Sequence, residues 1–235
     1  MIKNVLFDLD GTLLPMDQDK FLELYMISLY KYFPDEYKDI YEMIEIIKKG
    51  IYLMVTNNGE TTNEKVFYNY FKSVKGERTD DLLSKYMEYY ASDFVAAKAS
   101  TSLNPLSNLI IKTLKEKGYN IILATNPLFP RIATLNRIKW AGLDPNDFTY
   151  ITTYENSSYC KPNLKYYEEI ISKLNLKKEE CIMIGNDTSE DYIITELDIP
   201  CIILKHSLIN KNKLDIDFST LDDLYNAVKN YPIIK

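Results

Sequence analysis

Apolar positions along the chain follow two rhythms. Five short, nearly continuous runs of Ile, Leu, Val, Phe and Met stand at Ile2–Leu9, Asn120–Thr125, Thr149–Thr152, Glu180–Ile184 and Pro200–Leu204. Runs of this length without polar alternation predict strands buried on both faces, as in a parallel sheet covered by helices. Between the later runs the spacing changes to three and four. Asn104 and Pro105 open one such segment and Gly118 closes it, in keeping with cap and stop preferences. Residues 131–141 are periodic up to Gly142, and further helices are predicted over 163–174 and 189–197. A last helix carries Leu221, Leu224, Tyr225 and Val228 on one face, with Ser219 or Thr220 as cap. Strands alternating with helices predict a doubly wound, Rossmann-like α/β sheet.

One stretch breaks the alternation. From Leu14 to Ser102 no long strand is predicted, and four amphipathic patterns take its place. Their faces are Leu22, Tyr25, Leu29 and Tyr32; then Ile40, Tyr41, Ile44 and Ile47, closed by Gly50. Phe67, Tyr70, Phe71 and Val74 follow a capping box from Thr61 to Glu64, and Leu83, Tyr86, Tyr90 and Phe94 form the fourth. Four such helices predict a small all-helical cap with its own core. The expected division is residues 1–15 and 102–235 for the α/β part and 16–101 for the cap. The aromatic stripes are read as packing surfaces before ligand surfaces.

Composition narrows the function. The 235 residues carry a net charge of −6 and no basic stripe, which argues against a nucleic-acid partner. No apolar run approaches the length of a membrane span, and the first residues lack a signal-peptide layout. A cytoplasmic protein, monomeric or a small homo-oligomer, is the expectation. Three cysteines without regular spacing are no disulfide framework. The single histidine, His206, excludes mechanisms that need two. A cysteine-based phosphatase loop and a P-loop are both absent from the chain. Carboxylates are the chemical groups left.

Open α/β sheets bind ligands beyond the carboxyl ends of their strands. The polar residues there are Asp8-Leu9-Asp10-Gly11-Thr12 after the first run, Thr125 and Asn126 after the second, Lys161 in the loop after the third, and Gly185 through Asp191 after the fourth. Asp8, Asp10, Asp187 and Asp191, with Lys161 and Thr125, thus gather at one edge. Clustered carboxylates repel, so a cation is expected among them; hard oxygen donors favour magnesium, Mg2+.

These segments resemble, in order, the four motifs of the haloacid dehalogenase superfamily. The D-x-D-G-T match at Asp8–Thr12 and the G-N-D-x-x-x-D match at Gly185–Asp191 are specific; Thr125 and Lys161 gain weight from their places after strands. The resemblance covers the α/β part, and the helical stretch is similar in type to a cap placed after the first motif. It implies a phosphatase acting on a small phosphorylated substrate. Asp8 would be the nucleophile and Asp10 the acid and base, with its backbone carbonyl on the metal. Asp8 and Asp187 would give carboxylate oxygens to magnesium, with Asp191 supporting. Thr125, Asn126 and Lys161 would hold the phosphoryl group.

Rival readings accompany these. Asp8 and Asp10 also suit a turn after a strand, Lys161 a solvated surface, and Asp187 and Asp191 a helix cap. A phosphosugar mutase or a phosphonate or haloacid hydrolase of the same superfamily would share the motifs. A non-catalytic phosphate-binding module is the alternative of a different class. In the cap, the polar turn Asn57, Asn58, Gly59 and Glu60 is the candidate for substrate specificity.

Overall fold

The computed structural model describes residues 1–234. Its described strands β1 (Asn4–Phe7), β2 (Asn120–Leu123), β3 (Tyr150–Ile151), β4 (Cys181–Gly185), β5 (Cys201–Leu204) and β6 (Phe218–Ser219) form one sheet ordered β3-β2-β1-β4-β5-β6. All its pairings are parallel, with Leu6 opposite both Ile122 and Met183. Strand pleating sends alternate residues to opposite faces. Val5, Phe7, Ile121 and Leu123 accordingly pack with α5 (Pro105–Glu116) and α8 (Leu221–Asn230). Leu6, Ile122 and Met183 pack on the other side with Tyr166 and Ile170 of α7 (Leu164–Lys173). The expected doubly wound α/β class is the one found. Strand order reverses direction between β1 and β4, which opens a crevice at their carboxyl ends.

The regular elements of the insert are all helical: α1 (Gln18–Tyr32), α2 (Ile40–Val55), α3 (Asn63–Lys75), α4 (Thr79–Ala91) and 3-10 segments over Gly76–Arg78 and Asp93–Ser100. It leaves and rejoins the sheet at adjacent points. Met16 bridges Thr101, and the Ser102 N–H donates to the Pro15 carbonyl at 2.9 Å. Its interior is aromatic, with Tyr25 edge-on to Phe94 at 5.7 Å and Phe33 on Tyr86 at 4.6 Å. Phe94 also lies 5.0 Å from Trp140 at the end of α6 (Arg131–Trp140), tying insert to core. Among the described residues no helix is long and apolar enough to cross a membrane.

Several local expectations are corrected. β1 stops at Phe7 rather than Leu9, because the chain turns at Asp8–Gly11. Gly50 does not end α2, which runs on to Val55; a Cβ there would lie 2.5 Å from the Phe67 ring, so the glycine lets α2 and α3 approach. Thr62, not Thr61, caps α3. Tyr41 and Val74 face solvent, while Met43, Ile46 and Met54 of α2 are buried. The stretch 189–197 is a turn and a short 3-10 helix over Tyr192–Leu197, not an α-helix, because the Asp191 side chain binds backbone behind it. β6 was not expected: two residues carry too little pattern to read.

Candidate active site

The carboxyl end of β1 positions the first group. The Asp8 N–H donates to the Ile184 carbonyl at 2.9 Å, extending the ladder by one residue. The chain then turns through Gly11, whose φ of +89° suits glycine. A Cβ at Gly11 would sit 2.3 Å from the Asn186 side chain, so the turns after β1 and β4 meet there. Thr12 spans them, its hydroxyl 2.9 Å from Asn186 Oδ1 and 3.2 Å from Asp8 Oδ2.

Lys161 joins three segments. Its buried ammonium lies 2.8 Å from Asp8 Oδ1 and 2.6 Å from Asp191 Oδ1. Asp191 uses its other oxygen to accept the N–H groups of Asn186 at 2.9 Å and Asp187 at 3.1 Å. That contact needs Gly185, where a Cβ would fall 2.1 Å from Asp191 Oδ2. Asp187 Oδ1 accepts from the N–H groups of Ser189 and Glu190 at 2.6 and 3.0 Å, so Asp187 does cap the following turn while also lining the cavity. Thr125 is buried beside them; its carbonyl accepts from Thr152 and Tyr166 at 2.7 and 2.9 Å. The Asn126 amide donates to Glu190 at 3.0 Å.

Asp10 turns the other way. One oxygen pairs with the guanidinium of Arg137, which is 1% exposed and stacked 4.5 Å over Phe129. The other oxygen, Oδ1, is buried without a hydrogen-bond partner. Arg137 and Glu190 were missed by sequence reasoning. Glu190 lies inside the Gly185–Asp191 motif and was readable as a neighbour; Arg137 sits mid-helix with no local signal.

Carboxyl groups outnumber cationic side chains here. Asp8, Asp10, Asp187, Glu190 and Asp191 face Lys161 and Arg137. Burial pushes Asp8 up to about 7, with Asp191 and Asp10 adding and Lys161 opposing. Asp10 is raised by burial against the pull of Arg137 and Lys161. Glu190 is pushed up to about 7 by burial, against Lys161. Burial works against the Lys161 charge, but Asp191 and Asp8 outweigh it and hold the ammonium well above its usual range.

One cavity of about 360 Å³ runs from this cluster into the insert. Asp8, Asp10, Thr125, Asn126, Asp187 and Asp191 are in its wall, and Lys161 stands behind Asp8. Asn57, Asn58 and Glu60 are not. Asn57 is buried, bonding the Thr61 carbonyl and Asn63 at 2.9 Å each, and the Asn58 carbonyl accepts from Tyr159 of the core at 3.2 Å. The turn docks the insert on the core.

Residues 2–193 match the model of one protein family, described as haloacid dehalogenase-like hydrolase. The chain belongs to that family. The resemblance read from its motifs is thereby borne out, and the protein is an enzyme, a hydrolase. It is 27% identical over 196 residues to the pyrophosphatase PpaX of Halalkalibacterium halodurans, covering 82% of this chain and 78% of that one. Its fold is similar to a HAD phosphatase from Thermococcus onnurineus, at 17% identity, 99% and 100% coverage and a TM-score of 0.58. It is also similar to the HAD-hydrolase YfnB of Bacillus subtilis, solved bound to magnesium, at 18% identity, 97% and 98% coverage and a TM-score of 0.55.

Proposed function

We propose that this hydrolase is a magnesium-dependent phosphomonoesterase working through an aspartyl-phosphate on Asp8, with a small phosphorylated molecule as substrate. The observation that carries the reading is the Asp8 carboxylate, held by Lys161 and Thr12 at one end of a cavity whose wall also holds Asp10, Thr125 and Asp187.

Asp8 attacks phosphorus as the bond from phosphorus to the leaving oxygen breaks, dividing one displacement into two. Asp10, through the oxygen that Arg137 does not engage, gives its proton to that leaving oxygen. A water molecule then attacks the phosphoryl group and returns a proton to Asp10, and phosphate departs as the bond to Asp8 breaks. Lys161 offsets charge on the phosphoryl oxygens, and Thr125 and Asn126 donate hydrogen bonds to them. Asp191 acts through Lys161, holding the ammonium against Asp8.

The donors present suit a hard cation. They are oxygens only, and five carboxyl groups stand here against two cationic side chains. No three His, Cys, Asp or Glu side chains converge as a ready cage among the described residues, but magnesium asks the protein for only one or two carboxylates and takes substrate oxygens besides. Asp8, Asp187 and the Asp10 carbonyl would hold it, and it would neutralise the transferred phosphoryl group.

The test is hydrolysis of nitrophenyl phosphate with and without magnesium, in wild type and Asp8→Asn. Wild-type turnover should vanish after EDTA treatment and return with magnesium. Asp8→Asn should lose several powers of ten in kcat, as expected of a group acting as part of a unit, with its melting temperature preserved. Turnover by the variant, or full activity in EDTA, overturns the reading.

A further inference from the structure

The far end of the cavity shows what kind of group leaves. Its insert wall is built from Met16, Met26, Ile51, Met54, Leu83 and Met87. The insert's own tyrosines in the wall hold their hydroxyls against other tyrosine hydroxyls: Tyr25 and Tyr90 at 2.7 Å, and Tyr86 with Tyr37 beyond the wall. They therefore turn mainly ring carbons to an occupant. Among the described residues none of the insert's lysines, nor its arginine Arg78, is in that wall; the insert contributes Gln18 and the acidic Asp19 instead. The two cations at the carboxylate cluster are both committed, Lys161 to Asp8 and Asp191, Arg137 to Asp10.

A sugar's hydroxyls would find few partners on such a wall, and buried polar groups without partners are strongly disfavoured. A carboxylate or a second phosphate would find no free cation among these residues to balance it. Methylene and aromatic groups, by contrast, would exchange water for thioether and ring surface. Four methionines make that surface adaptable to chains of different shape.

We propose that the leaving group of this enzyme is an apolar alcohol, alkyl or aryl, seated in the methionine-lined end of the cavity while its phosphate meets Asp8. This rests on the phosphomonoesterase reading and names the substrate class within it. It also separates this chain from relatives named for pyrophosphate, whose leaving group is an anion.

The experiment compares linear alkyl phosphates from methyl to octyl with phosphoglycolate, a hexose phosphate and pyrophosphate, with nitrophenyl phosphate as control. kcat/KM should climb about fourfold per methylene over the first members and level off once the cavity is filled. The three polar substrates should fall about a hundredfold or more below the best alkyl ester. Ile51→Gln, at a partly exposed wall position, should flatten the climb. A flat series, an unchanged slope in Ile51→Gln, or a preference for a polar substrate overturns the proposal while nitrophenyl phosphate is still hydrolysed. Failure to hydrolyse any of these, nitrophenyl phosphate included, removes the phosphomonoesterase reading beneath it as well.

Discussion

The α/β core and the helical insert handle polar groups in opposite ways. In the core, buried polar atoms converge: Lys161, Asp8, Asp191, Asn186 and Thr12 form one connected network at the strand ends. The network is charged, and every member is held by another or by backbone. In the insert, the tyrosines at the cavity pair hydroxyl to hydroxyl, and among the described residues no ionic network of the insert faces the cavity. A charged network in low dielectric is rigid and strongly directional; paired hydroxyls simply let aromatic rings be buried. Reactivity is thus assigned to one region and shape to the other.

That division can be broken most sharply at two glycines. Gly185→Ala would drive a Cβ into the Asp191 carboxylate, displacing the group that steadies Lys161. A misplacement of about 1 Å costs about a hundredfold in rate, so kcat should fall by at least that while folding survives. Gly50→Ala is the matching lesion in the insert, with its Cβ against the Phe67 ring. Overpacking costs about 1–3 kcal/mol, offset by about 1 kcal/mol of helix preference for alanine. A lower urea midpoint with kcat for nitrophenyl phosphate far less affected than in Gly185→Ala is the expected pattern. Equal losses of activity in the two variants would erase the distinction.

A smaller effect tests the polar turn of the insert. Asn57→Ala with Asn58→Ala removes the Asn57 bonds to Thr61 and Asn63, a loss of about 1 kcal/mol per bond. Stability should drop, and the ranking of kcat/KM across the phosphate panel should stay as in wild type, because the turn lies off the cavity wall. A reordered ranking would return the turn to substrate selection.

A further effect appears only at alkaline pH. Burial raises Tyr25 and Tyr37 to about 12, and Tyr86 and Tyr90 also stand above their ordinary value. Unfolded tyrosines ionise near pH 10. The folded-state values are the higher ones, so this contribution to stability is intact below about pH 10 and is lost as pH climbs toward 12. Denaturant titrations from pH 8 to 11 should show the loss beginning near pH 10. Tyr25→Phe with Tyr90→Phe should soften it.

Much of this was readable along the chain because the signals are local. A buried parallel strand must be apolar throughout, and a ligand must meet the sheet at its carboxyl edge, so Asp8, Thr125 and Asp187 could be placed from what precedes them. The family and the α/β class followed from those placements. Helix faces in the insert were read less well: Tyr41 and Val74 are exposed where burial was expected, and Gly50 lies within a helix instead of ending one. A glycine reads as a stop until its neighbour is known, and here the neighbour is Phe67, seventeen positions on.

The order of the first five strands, the motif residues and the helical character of the insert are written along the chain, because each depends on residues close in sequence. Which groups pair across the molecule is set by folding alone. Arg137 reaches Asp10 over 127 positions and Lys161 reaches Asp8 over 153. The tyrosine hydroxyls find each other between helices, leaving their rings to the cavity. Such pairings depend on how surfaces meet after folding, and no periodicity along the chain records that.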